Sequence, residues 1–216
     1  MNNERREVYV RAIGERLEET KSWSVERGGG SHHRRRLAFV AGGLVRRVEF
    51  LRLAFGLVWS IDAYLKWQPA FINTYASNVA DGAKGQPGWL RPWFRFWRHL
   101  ANSDPHLLAY ATAAIETLIA AGLILGFARR SLYVGGVLWS LAIWTIPEGF
   151  GGSFVAGATD IGTAIMYALV FGVLYTLESL PTRTGAWSLD HRVERLVPWW
   201  WILAEPGGRA PQAGRL

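Results

Sequence analysis

Four side chains stand where apolar residues are the rule. Glu116 lies near the middle of the apolar run Pro105–Ala128, whose only other acidic or basic side chain is His106. Asp62 and Lys66 fall within a second run, Val48–Trp67, and Tyr167 within a third, Thr159–Leu180. Carboxylates, an ammonium and a phenol at membrane depth are groups that can relay protons or hold a polar ligand. A charge at the bilayer centre costs at least ~2.5 kcal/mol on insertion scales, so Glu116 needs a partner, a proton or water. Asp62 and Lys66 are spaced i,i+4 and can pair on one helix.

The elements that must position these groups are helices. At ~1.5 Å per residue, Pro105–Ala128 is long enough to cross a hydrocarbon core of ~30 Å. Arg129 and Arg130 follow, then the apolar run Ser131–Pro147 at the short end of the spanning range. These two runs read as membrane helices joined by a tight basic turn. In Val48–Trp67, the residues Arg52, Gly56, Trp59, Asp62 and Lys66 share an arc of about 120°, opposite Leu51, Leu57, Ile61 and Leu65. The polar arc should face other helices and the leucine side should face lipid. Arg52 and Lys66 either snorkel to opposite surfaces or pair inside, as Arg52–Glu116 or Lys66–Glu116. Ala109, Thr112, Ala113, Glu116 and Ala120 form a small-residue face that turns Glu116 toward a neighbouring helix. In the run Thr159–Leu180, Asp160 is either a helix N-cap or first-turn acid favoured by the helix dipole, or a functional carboxylate. The expected architecture is an all-α integral membrane protein, a bundle of four transmembrane helices.

Composition agrees. Half of the 216 residues are hydrophobic and 12 are tryptophan, which suits membrane interfaces. The net charge of +7 comes from 24 basic residues, all arginine except Lys21, Lys66 and Lys84. Nucleic-acid binding is the rival reading of such basicity, but these arginines flank hydrophobic runs, so no nucleic-acid partner is expected. With no cysteine, thiolate chemistry, disulfides and Cys-ligated clusters are excluded on this chain. The adjacent pair His32–His33 is a poor chelate, and no metal is expected.

Three regions follow. Residues 1–44 are a polar basic segment with an apolar lead-in at Leu37–Val45; residues 1–36 lack the apolar core of a cleavable signal. Residues 45–180 form the transmembrane domain. Residues 181–216 are a tail in which Pro198–Leu203 (PWWWIL) suits an interfacial tryptophan anchor. Between the first two spans, residues 68–104 form a long connection. Its second half places Trp89, Leu90, Trp93, Phe94, Phe96 and Trp97 among Arg91, Arg95 and Arg98. That pattern predicts an amphipathic helix in the interface plane, or a lid over the bundle mouth. Gly82, Gly85, Pro87 and Gly88 mark a flexible stretch before it. Four spans put both termini on one side with Arg34–Arg36, Arg46, Arg47, Arg129 and Arg130, which is the cytoplasmic side of an inner membrane by the positive-inside rule. The connection's Lys84, Arg91, Arg95 and Arg98 run mildly against that rule.

The stretch Glu116-Thr-Leu-Ile-Ala-Ala-Gly122-Leu-Ile-Leu-Gly126-Phe-Ala-Arg-Arg130 resembles the second helix of the DoxX/DoxD-like family. Leu51-Arg52-Leu-Ala-Phe-Gly56, with Lys66 beyond, is similar to the family's first helix, although the family's second glycine is not matched at Asp62–Ala63. The resemblance covers about residues 48–180. It implies a four-helix membrane protein associated with redox systems, the DoxD branch being part of a thiosulfate:quinone oxidoreductase.

Three functional readings are open. The first is an accessory subunit of a membrane redox complex, whose partners are lipid and other membrane subunits or a second copy. The second is a quinone-handling enzyme subunit. Glu116, Asp62, Lys66 and Tyr167 would surround the head group, and Trp89, Trp93 and Phe94 would guard the entrance; quinone is then the one cofactor implied. The third is a small transporter or proton pathway along Arg52, Asp62, Lys66 and Glu116.

Overall fold

The computed structural model describes residue 43, residues 45–179 and residues 188–205. The chain divides into two compact units, Met1–Leu44 and Val45–Leu216. The readings made on residues 1–42 and on the last eleven residues lie outside the described residues. The second unit is all-α, with eight α-helices among the described residues. They are α1 (45–66), α2 (Pro69–Asp81), α3 (Arg91–Ser103), α4 (Pro105–Leu125), α5 (Arg129–Thr145), α6 (Ala164–Ser179), α7 (Asp190–Leu196) and α8 (Trp201–Ala204).

Helix α1 turns the expected faces in the expected directions. Arg52, Trp59 and Ala63 are buried, while Leu57, Ile61 and Leu65 are exposed. A β-carbon at Gly56 would sit 3.1 Å from Leu123 and Ile124 side chains, so the missing side chain lets α1 lie against α4. Phe55 and Trp59 pack edge-on against Phe171 of α6, with ring centroids 4.9 and 5.2 Å away. Gly136 of α5 faces the same ring so closely that any β-carbon there would overlap it. Helices α1, α4, α5 and α6 thus share one core, centred on Phe55, Trp59, Leu123, Tyr133, Phe171 and Leu174.

Helix α4 alone, among the described helices, is both long and apolar enough to cross a membrane. It has 21 residues, starts at Asp104, whose carboxylate accepts from the Leu107 N–H, and stops where Gly126 adopts a left-handed conformation. Helices α5 and α6 have 17 and 16 residues, and α1 carries Glu49, Arg52, Asp62 and Lys66.

Several expectations need correcting. The fourth run is helical only from Ala164, because Gly162 takes a positive φ of 88° just before it. Asp160 is not its N-cap: its Oδ1 accepts from Ile161 and Gly162 backbone N–H groups. The Ala164 N–H is instead met by both carboxylate oxygens of Glu148. The first half of the 68–104 connection is a helix, α2, and Gly82 is a close crossing rather than a flexible joint. A β-carbon at Gly82 would collide with the Ile146 carbonyl oxygen, and one at Gly149 with the Gly82 carbonyl. The tail tryptophans do not all turn outward, as an interfacial anchor would have them. Trp200 faces inward, stacked 4.9 Å from Phe127 and donating to Asp190, while Trp199 stays exposed.

Candidate functional site

The site begins with one helical turn of α1. Lys66 Nζ lies 2.8 Å from Asp62 Oδ1 and 3.4 Å from Glu116 Oε2 of α4. Lys66 therefore turns inward rather than snorkelling, and its ammonium lies 5.5 Å from the Phe71 ring centroid at the start of α2. Glu116 is fully buried. The fully buried Ala109 and Ala113 below it leave room for α1 and α2 to close on α4. Trp67 fixes the register by donating its indole N–H to Thr117 Oγ1 at 2.9 Å.

On the far side of Glu116 lies a cavity of about 270 Å³. Phe71, Tyr75 and Val79 of α2, Trp97 and Leu100 of α3, Ile115 of α4, and Trp139 and Ile143 of α5 line its walls. Lys66 and Glu116 supply its charged lining. Three buried polar groups at this cavity lack a hydrogen-bond partner among the described residues: the carboxylate of Glu116 and the indole N–H groups of Trp97 and Trp139. Lys66 meets Glu116 as an ion pair without hydrogen-bond geometry. Buried polar groups are ordinarily satisfied, and an orphan costs ~1–3 kcal/mol. Two donors and one acceptor are thus unpaired on residues around an apolar chamber, each atom closed off from its open space in this conformation.

The other expected site residues fall elsewhere. Asp62 holds Lys66 but does not line the cavity. Tyr167 of α6 packs on Phe55 and Trp59 at 5.9 and 5.2 Å, outside the cavity wall. Of the three aromatics expected at the entrance, none lines it. Trp89 packs edge-on against Phe154, Phe94 is buried against Phe150, and Trp93 donates to the Thr145 carbonyl. Trp93 does pack edge-on against Trp97, which takes the position at the wall. Arg52 sits at the other end of the bundle, donating to the Leu123 and Ile124 carbonyls about two turns along α4 from Glu116. Its charge caps the carbonyl end of that helix, where a cation is favoured, so the snorkelling reading of Arg52 does not hold.

The residues missed from sequence are Trp139, Trp97, Phe71 and Tyr75. A signal existed for Trp139: an indole N–H halfway along an apolar run needs an acceptor that its own helix cannot supply. Among the described residues no group of three His, Cys, Asp or Glu side chains is placed to hold a metal ion. Comparison with protein-family models, with curated proteins and with solved structures gives no match to this chain.

Proposed function

We propose that the chain is a DoxX/DoxD-like integral membrane subunit of a quinone-linked redox complex, accessory to its partners, and that it holds the head group of a quinone in the Glu116 cavity. In this reading α1, α4, α5 and α6 cross the inner membrane and both termini lie in the cytoplasm. The outward faces support it: Leu57, Ile61, Leu118 and Leu138 are each more than 60% exposed, a coat that suits lipid better than water.

The observation that carries the proposal is the set of unpaired hydrogen-bonding groups around the apolar chamber. A quinone ring offers two carbonyl acceptors to Trp97 and Trp139. Its reduced form offers a hydroxyl to Glu116, which can take that proton with Lys66 at hand to balance the charge. The chamber is near the lower limit of small-molecule sites, sized for a ring with small substituents rather than for an isoprenoid tail.

The test is thermal unfolding of the full chain in mild detergent, titrated with a short-chain benzoquinone and its quinol. A saturable rise in unfolding temperature is expected. Trp139→Phe removes one N–H and keeps the ring, and it should weaken quinone binding by about fivefold, the worth of one hydrogen bond. Glu116→Gln should weaken quinol binding more than quinone binding. No saturable rise, or unaltered affinities in both variants, defeats the proposal.

A second reading rests on the Lys66–Glu116 contact at 3.4 Å. Here the cluster locks the register of α1 on α4, as buried polar pairs do elsewhere, and the subunit is purely structural. Glu116→Gln would then alter stability and leave ligand response at zero throughout.

A further inference from the structure

Helix α3 keeps its basic side chains apart from its exposed apolar ones. At 100° per residue, Arg91, Arg95, Arg98 and Asn102 fall within an arc of about 60°, while Trp93, Phe96 and Leu100 lie on the opposite side. The basic arc, with His99 at its edge, is one wall of a cleft of about 550 Å³. Gln86 belongs to the other wall and is held there. Its Nε2 donates to the Gly149 carbonyl at 2.7 Å, beside the Gly82–Gly149 backbone crossing. The exposed Trp93, Phe96 and Leu100 take no part in the lining.

Among the described residues no carboxylate lines this cleft, and none forms an ion pair with its three guanidinium groups. The acids that flank the region are committed elsewhere. Asp81 pairs with Lys84 at 2.7 Å, Asp104 accepts from the Leu107 N–H, and Glu148 meets the Ala164 N–H. The arginines therefore face one another on successive turns, ~6 and ~4.5 Å apart along the axis. Like charges so placed repel, a cost to the helix that a bound anion would remove. Planar guanidinium forks match phosphate oxygens in geometry as well as charge. A single phosphate would fill a small part of the cleft, whose volume lies within the ~300–1,000 Å³ of small-molecule sites. Three cations strung over two helical turns suit linked phosphates, which carry several charges along a line.

We propose that this cleft binds a soluble diphosphate, inorganic or borne by a small organic molecule, with Arg91, Arg95 and Arg98 gripping its oxygens. A phospholipid headgroup also offers phosphate. The exposed apolar side chains of α3 are turned away from the cleft, however, and give acyl chains no adjoining surface. The proposal concerns a different cavity from the Glu116 chamber and needs neither the quinone reading nor the membrane reading.

Isothermal titration calorimetry of the full chain in a nonionic detergent tests it. The probe is inorganic pyrophosphate, and the control is inorganic phosphate at matched ionic strength. Saturable binding of pyrophosphate is expected, about tenfold or more tighter than that of phosphate, since the second phosphate adds at least one charge-assisted hydrogen bond. Arg91→Gln, Arg95→Gln and Arg98→Gln should each weaken pyrophosphate on the order of tenfold for the same reason. Arg95→Lys keeps the charge and should still weaken it, because an ammonium cannot reproduce the planar fork. The exposed pair Arg46→Gln/Arg47→Gln should leave it unchanged. No saturable binding, or equal affinity for phosphate and pyrophosphate, overturns the proposal. Full affinity in Arg95→Lys, or an equal loss on removing Arg46 and Arg47, reduces the cleft to a diffuse basic field and overturns it too. So does displacement of pyrophosphate by phosphatidylglycerol added to the micelles, which assigns the cleft to a lipid headgroup. Should the α3 variants fail to fold, the ranking of pyrophosphate, phosphate and phosphatidylglycerol on the unaltered chain decides alone.

Discussion

At the α4–α5 turn, Arg129 meets Glu178 and Asp190 at 2.9 Å each, and almost every remaining site on those carboxylates is filled. Asp190 accepts from the Ala128 and Arg129 backbone N–H groups and from the Trp200 indole, and Glu178 accepts from the Tyr133 hydroxyl at 2.8 Å. Some way along α4, Glu116 is just as buried, yet it has one loose ion pair and no hydrogen bond among the described residues. Both clusters put an acid in the interior beside a cation. The first is closed, and its geometry joins the tail to the bundle. The second lies beside a chamber with its carboxylate short of hydrogen bonds. The difference teaches that burial of charge alone does not mark a binding site; what sets Glu116 apart is unspent hydrogen-bonding capacity beside a void.

The comparison breaks most visibly at Asp190. Removing that carboxylate with Asp190→Ala leaves Arg129 with one partner fewer, and it strips two backbone N–H groups of their acceptor. A loss of about 3–5 kcal/mol is expected in unfolding of the detergent-solubilised chain. A loss below about 1 kcal/mol would put the two clusters in the same class. Glu116→Gln should cost far less, within about 1 kcal/mol, since on the lipid-embedded reading proposed above polar contacts between helices are individually weak. Stability falling as far as in the Asp190 variant would recast the Glu116 cluster as structural.

The smallest effect sharpens the picture of the tail. Glu194 of α7 is half-buried with Oε1 unpartnered among the described residues, and burial, then the neighbouring Glu205, raise its carboxyl above the ordinary value of 4.5. A raised acid favours the protonated form in the folded state. Tail docking is therefore strongest at low pH and weakens as pH rises from 4.5 through the folded-state value. Hydrogen exchange of residues 188–205 should quicken over that range, beyond the intrinsic increase with pH. Glu194→Gln should abolish the excess.

Much of this arrangement is legible in the sequence where helical periodicity acts locally. The arc of Arg52, Gly56, Trp59, Asp62 and Lys66 gives the inward face of α1, and the i,i+4 spacing gives the Asp62–Lys66 pair. The basic and aromatic alternation of α3 likewise announces a helix with distinct faces. What the sequence hides depends on contacts between distant segments. Helix α2 has one threonine, two asparagines, a serine and a tyrosine among its apolar residues, and it is held by packing on α3, α4 and the end of α5. The start of α6 is set by Glu148, sixteen positions earlier in the chain. The chamber beside Glu116 is lined from five helices, α1 to α5, and no single run of residues encodes it.

Gly82 and Gly149 have a consequence for how such a chamber could change. One end of it is set where two backbones touch with no side chain between them, so no substitution at that crossing can adjust its width by degrees. Adaptation to a larger or smaller guest has to come from the removable furniture, Phe71, Tyr75, Ile115 and Ile143, while the hinge-less corner stays fixed.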